Sequence, residues 1–232
     1  MRWLLLCLVL CVPYPSAAAD ERQQKERKPN EAEQPASPVP WRTLFDGKTL
    51  TNWKSTNFGG EGEVVVEDGA LVIDMGNPLT GVTWAGPPLP KVNYEVELEA
   101  RRMAGSDFFC ALTFPVKDSH ASLVLGGWGG SLIGISSING FDASENDTTD
   151  YFRFEKNRWY KIRLQVTDTH LRAWIDDKPI VDFEHADCKL SVRIEVEPSR
   201  PFGIATFETK GAVRNLRLRN LPGAQTEESS DD

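Results

Sequence analysis

The sequence has little histidine and cysteine, with three and four residues of these types among 232. It contains no H-x-H or H-E-x-x-H pattern and no paired Cys/His spacing, so the usual signals of a zinc site are missing. It also lacks G-x-S-x-G, P-loop and G-x-G-x-x-G motifs, which mark nucleophile elbows and nucleotide sites. We predict no cofactor and no metal site. A divalent cation stays an open alternative, with calcium at the loop "DASEND" (residues 142–147) as its one candidate place.

The sequence also contains only short apolar runs. Residues 4–12 form an apolar run that follows Arg2 and precedes the small residues 16–19. This order is typical of a signal peptide, so we predict one over residues 1–19, cleaved near Ala19. The run is too short for an ordinary transmembrane helix. We therefore expect export from a bacterial cell, to the periplasm or as a secreted protein, with no integral membrane segment after cleavage.

Apolar side chains are also few at both ends of the remaining chain. Residues 20–40 are charged and proline-rich, and the end of the chain is acidic. Such segments cannot bury enough apolar surface to fold, which predicts a disordered linker over 20–40 and a disordered tail over 222–232. Residues 41–221 then form one domain. The formal net charge is −8, and no basic patch alternates with aromatic residues, so we expect no nucleic-acid partner.

The domain has no sustained 3.6-residue apolar period and instead alternates with a period of two. In "NYEVELEARRM" (residues 93–103), tyrosine, valine, leucine and alanine face one way and the glutamates face the other. Turn signals such as Asp68-Gly69 recur along the chain. Many short strands with this spacing predict an all-β fold, either an antiparallel sandwich or a barrel, and within this class we predict a jelly-roll β-sandwich. Cys110 and Cys188 remain after signal removal, either as a disulfide or as two buried thiols.

One strand pattern is unusual because it combines glycine pairs with tryptophan. In "LVLGGWGG" (residues 123–130), Trp128 lies between two glycine pairs, and a loop with Asn139 and Asp142 follows. Glycine inside a strand marks a bulge or a close approach to a ligand. Two interpretations stay open: a ligand surface with Trp128 as the platform for a sugar ring, or a bent strand with a tryptophan in the core.

Candidate acids and bases lie on several predicted strands. Carboxylates at i and i+2 have Cα atoms about 6.5–7 Å apart, and glycosidases use two carboxyls about 5–9.5 Å apart. The same spacing occurs on any solvent-facing strand. Glu99 and Glu195 are singled out because each lies near an arginine, Arg101 and Arg193, that can hold a carboxylate or a sugar hydroxyl. His120 is the histidine best suited to be a general acid or base.

Four stretches in order resemble one family. They are "WRTLFDGKTLTNWK" (41–54), "NYEVELEARRMAGSDFF" (93–109), "NRWYKIRLQVTDTHLRAWIDDKPIVDF" (157–183) and "FGIATFETKGAVRNLRLRNL" (202–221). Together they resemble the 3-keto-disaccharide hydrolase domain family, long known as a domain of unknown function. The resemblance implies a concanavalin A-like jelly roll in exported bacterial proteins, some of which cleave glycosidic bonds beside a sugar oxidised at C3.

The resemblance also carries site residues. Glu99 and Arg101 match the family's Glu-x-Arg, and Asp107 lies near its polar turn. Many relatives have a Gly-Leu-Gln-x-His-like segment where this chain has "GIATFET", so it is a divergent member. If catalysis in the family needs that histidine, this chain either has lost its role or uses Glu208 or His120 instead.

The sequence thus predicts an exported carbohydrate-active domain that hydrolyses 3-keto-disaccharides or related sugars. The predicted catalytic residues are Glu99, Asp107, His120 and Glu208. The predicted substrate-binding residues are Arg101, Trp128, Asn139, Asp142, Arg193 and Glu195. Two alternatives are a glycan-binding module without catalysis and a structural β-sandwich at the cell surface.

Overall fold

The computed structural model describes residues 39–222. The predicted signal peptide, most of the predicted linker and residues 223–232 of the predicted tail lie outside the described residues. The strands are β1 (Arg42–Thr43), β2 (Trp53–Ser55), β3 (Val64–Glu67), β4 (Ala70–Ile73), β5 (Leu79–Trp84), β6 (Tyr94–Gly105), β7 (Cys110–Val116), β8 (Ser119–Gly127), β9 (Leu132–Ser136), β10 (Asp150–Tyr151), β11 (Tyr160–Val166), β12 (His170–Ile175), β13 (Lys178–Glu184), β14 (Gly203–Phe207) and β15 (Thr209–Asn220). A 3-10 helix, Ile194–Ser199, precedes β14.

The strands form two antiparallel sheets. The eight-stranded sheet has the order β13-β12-β11-β6-β15-β4-β3, with β1 also paired to β15. The seven-stranded sheet has the order β10-β9-β8-β7-β14-β5-β2. The two sheets bury their inner faces against each other, so the predicted all-β, jelly-roll sandwich is confirmed. Within residues 39–222, no helix has the length and apolar character needed to cross a membrane.

The inner faces follow the alternation of the sequence. The four apolar residues predicted to share one face of β6 are fully buried: Tyr94, Val96, Leu98 and Ala100. The Tyr94 hydroxyl donates a hydrogen bond to the Pro115 carbonyl oxygen on β7, at 2.7 Å, and so joins the two sheets. Burial raises the pKa of Tyr94 well above its usual value, so the hydroxyl keeps its proton and remains a donor.

A tight turn joins β3 and β4 at the position that the sequence predicts. Asp68 and Gly69 connect β3 and β4 with φ values of 49° and 77°, the left-handed pair that a tight hairpin needs.

Cys110 and Cys188 are both free thiols, which decides against the disulfide alternative. Cys110 is buried in the core, and burial raises its pKa to about 12.

The outer face of the seven-stranded sheet carries small side chains. One row across the sheet places Gly81, Ala205, Ala111, Val124 and Gly134 in register. The next row is Thr83, Gly203, Thr113, Ser122 and Ser136. Because these side chains are short, the loops and side chains around them enclose a groove above the sheet.

Candidate functional site

A groove of ≈ 250 Å³ lies on the outer face of the seven-stranded sheet. Small residues form its floor, apolar and aromatic residues form much of its wall, and a few charged groups converge on it. The lining residues are Leu79, Asp107, Phe108, Ala111, Ser122, Val124, Trp128, Ser136, Arg193, Glu195, Val196 and Phe207. A concave, mostly apolar surface with a few placed polar groups is the usual form of a small-molecule site.

Trp128 lies at the rim of this groove rather than in the core. Its side chain is 44% exposed, and its backbone has a φ of 46°, which is uncommon for a bulky residue. The Gly130 N–H donates to the Gly127 carbonyl at 3.2 Å, so Trp128 occupies a tight turn between β8 and β9. Gly126 is the extra residue of a β-bulge, because Leu125 and Gly127 pair with neighbouring residues of β9. The strand therefore does bend, and the bend presents the indole ring to the groove.

Two residues of the β6–β7 region hold this glycine loop (residues 126–130) in place. Arg102 Nη2 donates to the carbonyl oxygens of Gly126, at 3.2 Å, and Gly130, at 2.7 Å. Asp107 Oδ2 accepts a hydrogen bond from the Gly129 N–H at 3.1 Å. A Cβ added at Gly126 would lie 2.3 Å from Arg102 Nη2, so the loop approaches the guanidinium as closely as only glycine permits.

Sequence reasoning missed Arg102, although the sequence carries a signal for it. Arg102 follows Leu98 and Ala100 in the alternation of β6, so it lies on the face that points into the sandwich. A charged residue at an inward position needs buried partners. The glycine loop supplies two of them as backbone carbonyls.

The opposite wall carries an arginine between two carboxylates. Arg193 donates to Glu195 through Nε at 3.2 Å and through Nη2 at 2.8 Å, and its Nη1 donates to Asp142. The hydrogen bond from Arg193 lowers the pKa of Glu195, and the same bond raises the pKa of Arg193. Both groups are therefore charged at neutral pH. Glu195 is suited to accept hydrogen bonds from a ligand and is poorly suited to donate a proton.

Glu99 and Arg101 do not lie in this groove. They project from the outer face of the eight-stranded sheet, on the other side of the sandwich from Trp128. Glu99 accepts hydrogen bonds from Arg214 Nε and Asn215 Nδ2, both at 2.8 Å.

Burial raises the pKa of Glu99, but the bonds from Asn215 and Arg214 outweigh it, so the net shift is downward. The Arg101 guanidinium stacks on the Trp159 ring, 4.5 Å from its centroid. One site cannot combine Glu99 and Arg101 with Trp128.

The other predicted residues lie at or beyond the edges of the groove. His120 is on the same face of β8 as Ser122, two residues farther from the groove, and burial together with Arg200 lowers its pKa. Glu208 is exposed in the turn between β14 and β15. Asn139 is exposed, and its Oδ1 accepts a hydrogen bond from the Lys189 N–H at 2.8 Å. The structure thus brings together Asp107, Trp128, Asp142, Arg193 and Glu195. His120, Glu208 and Asn139 lie outside this group.

A comparison with protein-family models identifies the domain. The model described as the 3-keto-alpha-glucoside-1,2-lyase-like domain matches residues 40–219. The chain belongs to this family. The matched range spans the strands of both sheets, so the groove and its glycine loop are parts of the family domain. The chain is accordingly a carbohydrate-related domain. A search of curated protein sequences finds no match.

Solved structures of the same architecture are similar to this 3-keto-alpha-glucoside-1,2-lyase-like domain at low sequence identity. A laminarinase from Flavobacterium sp. UMI-01 is 15% identical with a TM-score of 0.51, covering 79% of this chain and 100% of its own. The Crh5 transglycosylase in complex with NAG is 10% identical with a TM-score of 0.53, covering 79% and 85%. The Emp46p carbohydrate recognition domain is 14% identical with a TM-score of 0.51, covering 74% and 89%. At such identities these similarities establish the fold.

The groove of the family domain places several side chains where they can act on a ligand. Within residues 39–222, no group of three or more His, Cys, Asp or Glu side chains is arranged to hold a metal ion. In the loop considered for calcium, Asp142 pairs with Arg193. The groove combines an aromatic platform, a charged Arg193–Glu195 pair and the Asp107 carboxylate, which forms no ion pair with any described residue.

Proposed function

We propose that the groove binds a sugar ring of a glycan, with Trp128 as the stacking platform. The observation that carries the proposal is the exposed Trp128 at the rim of a groove with a small-residue floor. Aromatic rings combine a large apolar surface with a fixed geometry, which suits them to the flat C–H face of a sugar. A floor of alanine, serine and valine leaves space for that ring beside the indole.

The polar wall supports recognition of sugar hydroxyls. Arg193 is held by Glu195 and Asp142, so its side chain is fixed before a ligand arrives. Fixed donors and acceptors lose less conformational entropy on binding than mobile ones. Hydrogen bonds to charged groups are also the stronger ones. The family and the names of structural neighbours, a laminarinase and a transglycosylase in complex with NAG, support the same ligand class.

A glycan array followed by calorimetry tests this proposal. Trp128→Ala is expected to weaken the best glycan on the order of tenfold or more, as loss of a central aromatic contact does. Trp174→Ala is the matched control, because Trp174 lies on the eight-stranded sheet and stacks on Arg163 at 3.8 Å. Equal affinities for wild type and Trp128→Ala would refute the platform, and an array without hits would refute glycan binding.

A second candidate function is cleavage of the bond beside a 3-keto sugar, and the position of Asp107 favours it. Asp107 lines the groove close to Trp128, and its carboxylate has no cationic partner within ion-pair distance in the described part of the chain. A ketone at C3 acidifies the C2 hydrogen, and a carboxylate base can remove it. The C1=C2 double bond forms as the C1–O bond breaks, and the leaving oxygen takes a proton from water. Addition of water to the double bond completes a net hydrolysis.

Kinetics with 3-keto-α-glucosides separate this candidate from simple binding. Asp107→Asn keeps an oxygen for the Gly129 N–H and is expected to lower kcat about 10²–10⁴-fold, the usual contribution of a general base. Glu99→Gln, on the other sheet, is expected to leave kcat unchanged. A wild-type protein that binds the sugar and releases no product would refute cleavage and leave the binding proposal in place.

We also infer export, supported by the amino-terminal pattern of residues 1–19. The mature protein is expected in the periplasm or the medium with an amino terminus near Asp20. Recovery of the whole chain from the cytoplasm, still starting at Met1, would refute export.

A further inference from the structure

A second cleft, of ≈ 450 Å³, opens on the other side of the glycine loop. It lies between the β6–β7 turn, the loop and the segment that follows β10. Its lining residues are Arg102, Gly105, Ser106, Gly129, Gly130, Ser131, Tyr151, Phe152, Arg153 and Phe154. Two arginines and two serines line it, and no carboxylate does. The lining therefore has positive charge and hydroxyl donors, and Asp107, the carboxylate that acts on Arg102, is not among its residues.

Arg102 is a buried cation without a salt bridge. Its side chain is only 9% exposed, and it forms no ion pair with any residue between 39 and 222. Nη2 makes two hydrogen bonds to loop carbonyls, whereas Nε has no partner. The guanidinium lies 5.2 Å from the Phe109 ring centroid. Asp107 interacts electrostatically with Arg102 without an ion pair, and its oxygens accept hydrogen bonds from the N–H groups of Phe108 and Gly129.

A buried guanidinium with incomplete hydrogen bonding favours the binding of an anion. Removing a guanidinium from water is costly, and the loop carbonyls and an aromatic ring replace only part of its hydration. Burial lowers the pKa of Arg102, and the charge of Asp107 opposes part of that shift. A second cation, Arg153, is exposed at the mouth of the same cleft and has no ion pair within the described residues. An oxyanion in the cleft would be attracted to both cations, and the loop carbonyls already fix the guanidinium of Arg102.

We propose that the second cleft binds an anionic group, a carboxylate or sulfate, carried by the glycan that stacks on Trp128. This assignment rests on the proposed glycan-binding function. The glycine loop links the two sites: Trp128 lines the groove, and the adjacent Gly129 and Gly130 line the second cleft. The substrate class is therefore an acidic oligosaccharide, with its charged unit next to the ring on Trp128. Tyr151, 68% exposed, offers that unit a further aromatic surface.

Calorimetry with three probes tests the assignment on the intact protein. The probes are a glucuronate-terminated disaccharide, the same disaccharide ending in glucose, and inorganic sulfate. The glucuronate form is expected to bind about tenfold more tightly than the neutral form, the gain typical of hydrogen bonds to a charged group. That difference should shrink as salt is raised, because screening weakens the exposed part of the attraction.

Variants locate the effect. Arg153→Glu changes an exposed residue, so the protein is expected to fold, and it should abolish the preference for glucuronate. Arg102→Gln should also remove the preference, and it should weaken both disaccharides as well because Arg102 holds the glycine loop. Arg172→Glu, which removes a partner of Asp182 on the other sheet, is the charge-matched control and should keep the preference. Trp128→Ala should weaken both disaccharides by a similar factor.

The outcomes separate the two proposals. Equal binding of the two disaccharides to wild type, or a preference that survives Arg153→Glu, would overturn the anion site and leave glycan binding intact. If neither disaccharide binds while sulfate raises the melting temperature of wild type and not of Arg153→Glu, the anion site stands and the glycan proposal fails. Binding of neither sugar nor sulfate would overturn both.

Discussion

Gly126→Ala tests whether the close contact between the glycine loop and Arg102 holds Trp128 in its position at the groove. Gly126 has a φ of 79°, and a left-handed backbone costs alanine about 1–2 kcal/mol. The added Cβ would also lie 2.3 Å from Arg102 Nη2, so the guanidinium has to move away from the carbonyls that it bonds. Losing part of a charged hydrogen-bond pair adds about 1.5–3 kcal/mol. We expect a total loss of about 3 kcal/mol in the free energy of unfolding.

Gly140→Ala is the matched control for this experiment. Gly140 has a φ of 86°, close to that of Gly126, and no atom lies within 4 Å of the Cβ that alanine would add. Its cost is expected to be the cost of the left-handed backbone alone, about 1–2 kcal/mol. Urea unfolding with linear extrapolation measures both variants. Gly126→Ala should also weaken glycan affinity, and Gly140→Ala should not. Equal losses of stability in the two variants would refute the close contact between the loop and Arg102.

Further predictions concern the rest of the sandwich. Arg214→Gln should cost about 0.5–1 kcal/mol at pH 7, and this difference should shrink as the pH falls below the ordinary pKa of glutamate, leaving only the lost contact with the Trp159 ring. Glu99 has a lowered pKa in the folded state, so its pairing stabilises the fold above the unfolded value and is lost on acidification; a pH-independent difference would contradict this. Cys110 should resist iodoacetamide until denaturant is added while Cys188 reacts, as peptide mass spectrometry would report, and a disulfide-linked peptide would contradict the free thiols. Tyr94→Phe should lose about 1–2 kcal/mol, the contribution of a buried hydrogen bond, and an unchanged unfolding midpoint would contradict its role between the sheets.

The fold was predictable because its signals are local. The alternation in β6 decides which side chains are buried, and the Asp68-Gly69 pair decides where a hairpin turns. Neither depends on distant parts of the chain. Glycine pairs around Trp128 likewise signalled a bend, because glycine inside a strand marks a bulge or a close approach.

The composition of the site was harder to predict because it depends on which strands pair. Alternation predicts that the Glu99 side chain points to solvent, but it does not predict to which of the two sheets β6 belongs. That choice follows from pairing between β6 and β15, in which Glu99 meets Arg214, 115 residues away. The same non-local pairing separates Glu99 from Trp128 and brings Arg193 and Glu195 to the groove instead.

Arg102 shows how far a ligand surface can depend on residues beneath it. Apart from Trp128, the glycine loop consists of glycines without side chains, and its positive φ angles are conformations that folding must select from a flexible chain. Three hydrogen bonds between the loop backbone and the side chains of Arg102 and Asp107 hold the loop in these conformations. Trp128 can therefore remain exposed and still hold one orientation. Because the same guanidinium lines the second cleft, Arg102 both fixes the loop that presents Trp128 and supplies positive charge to the cleft beside it.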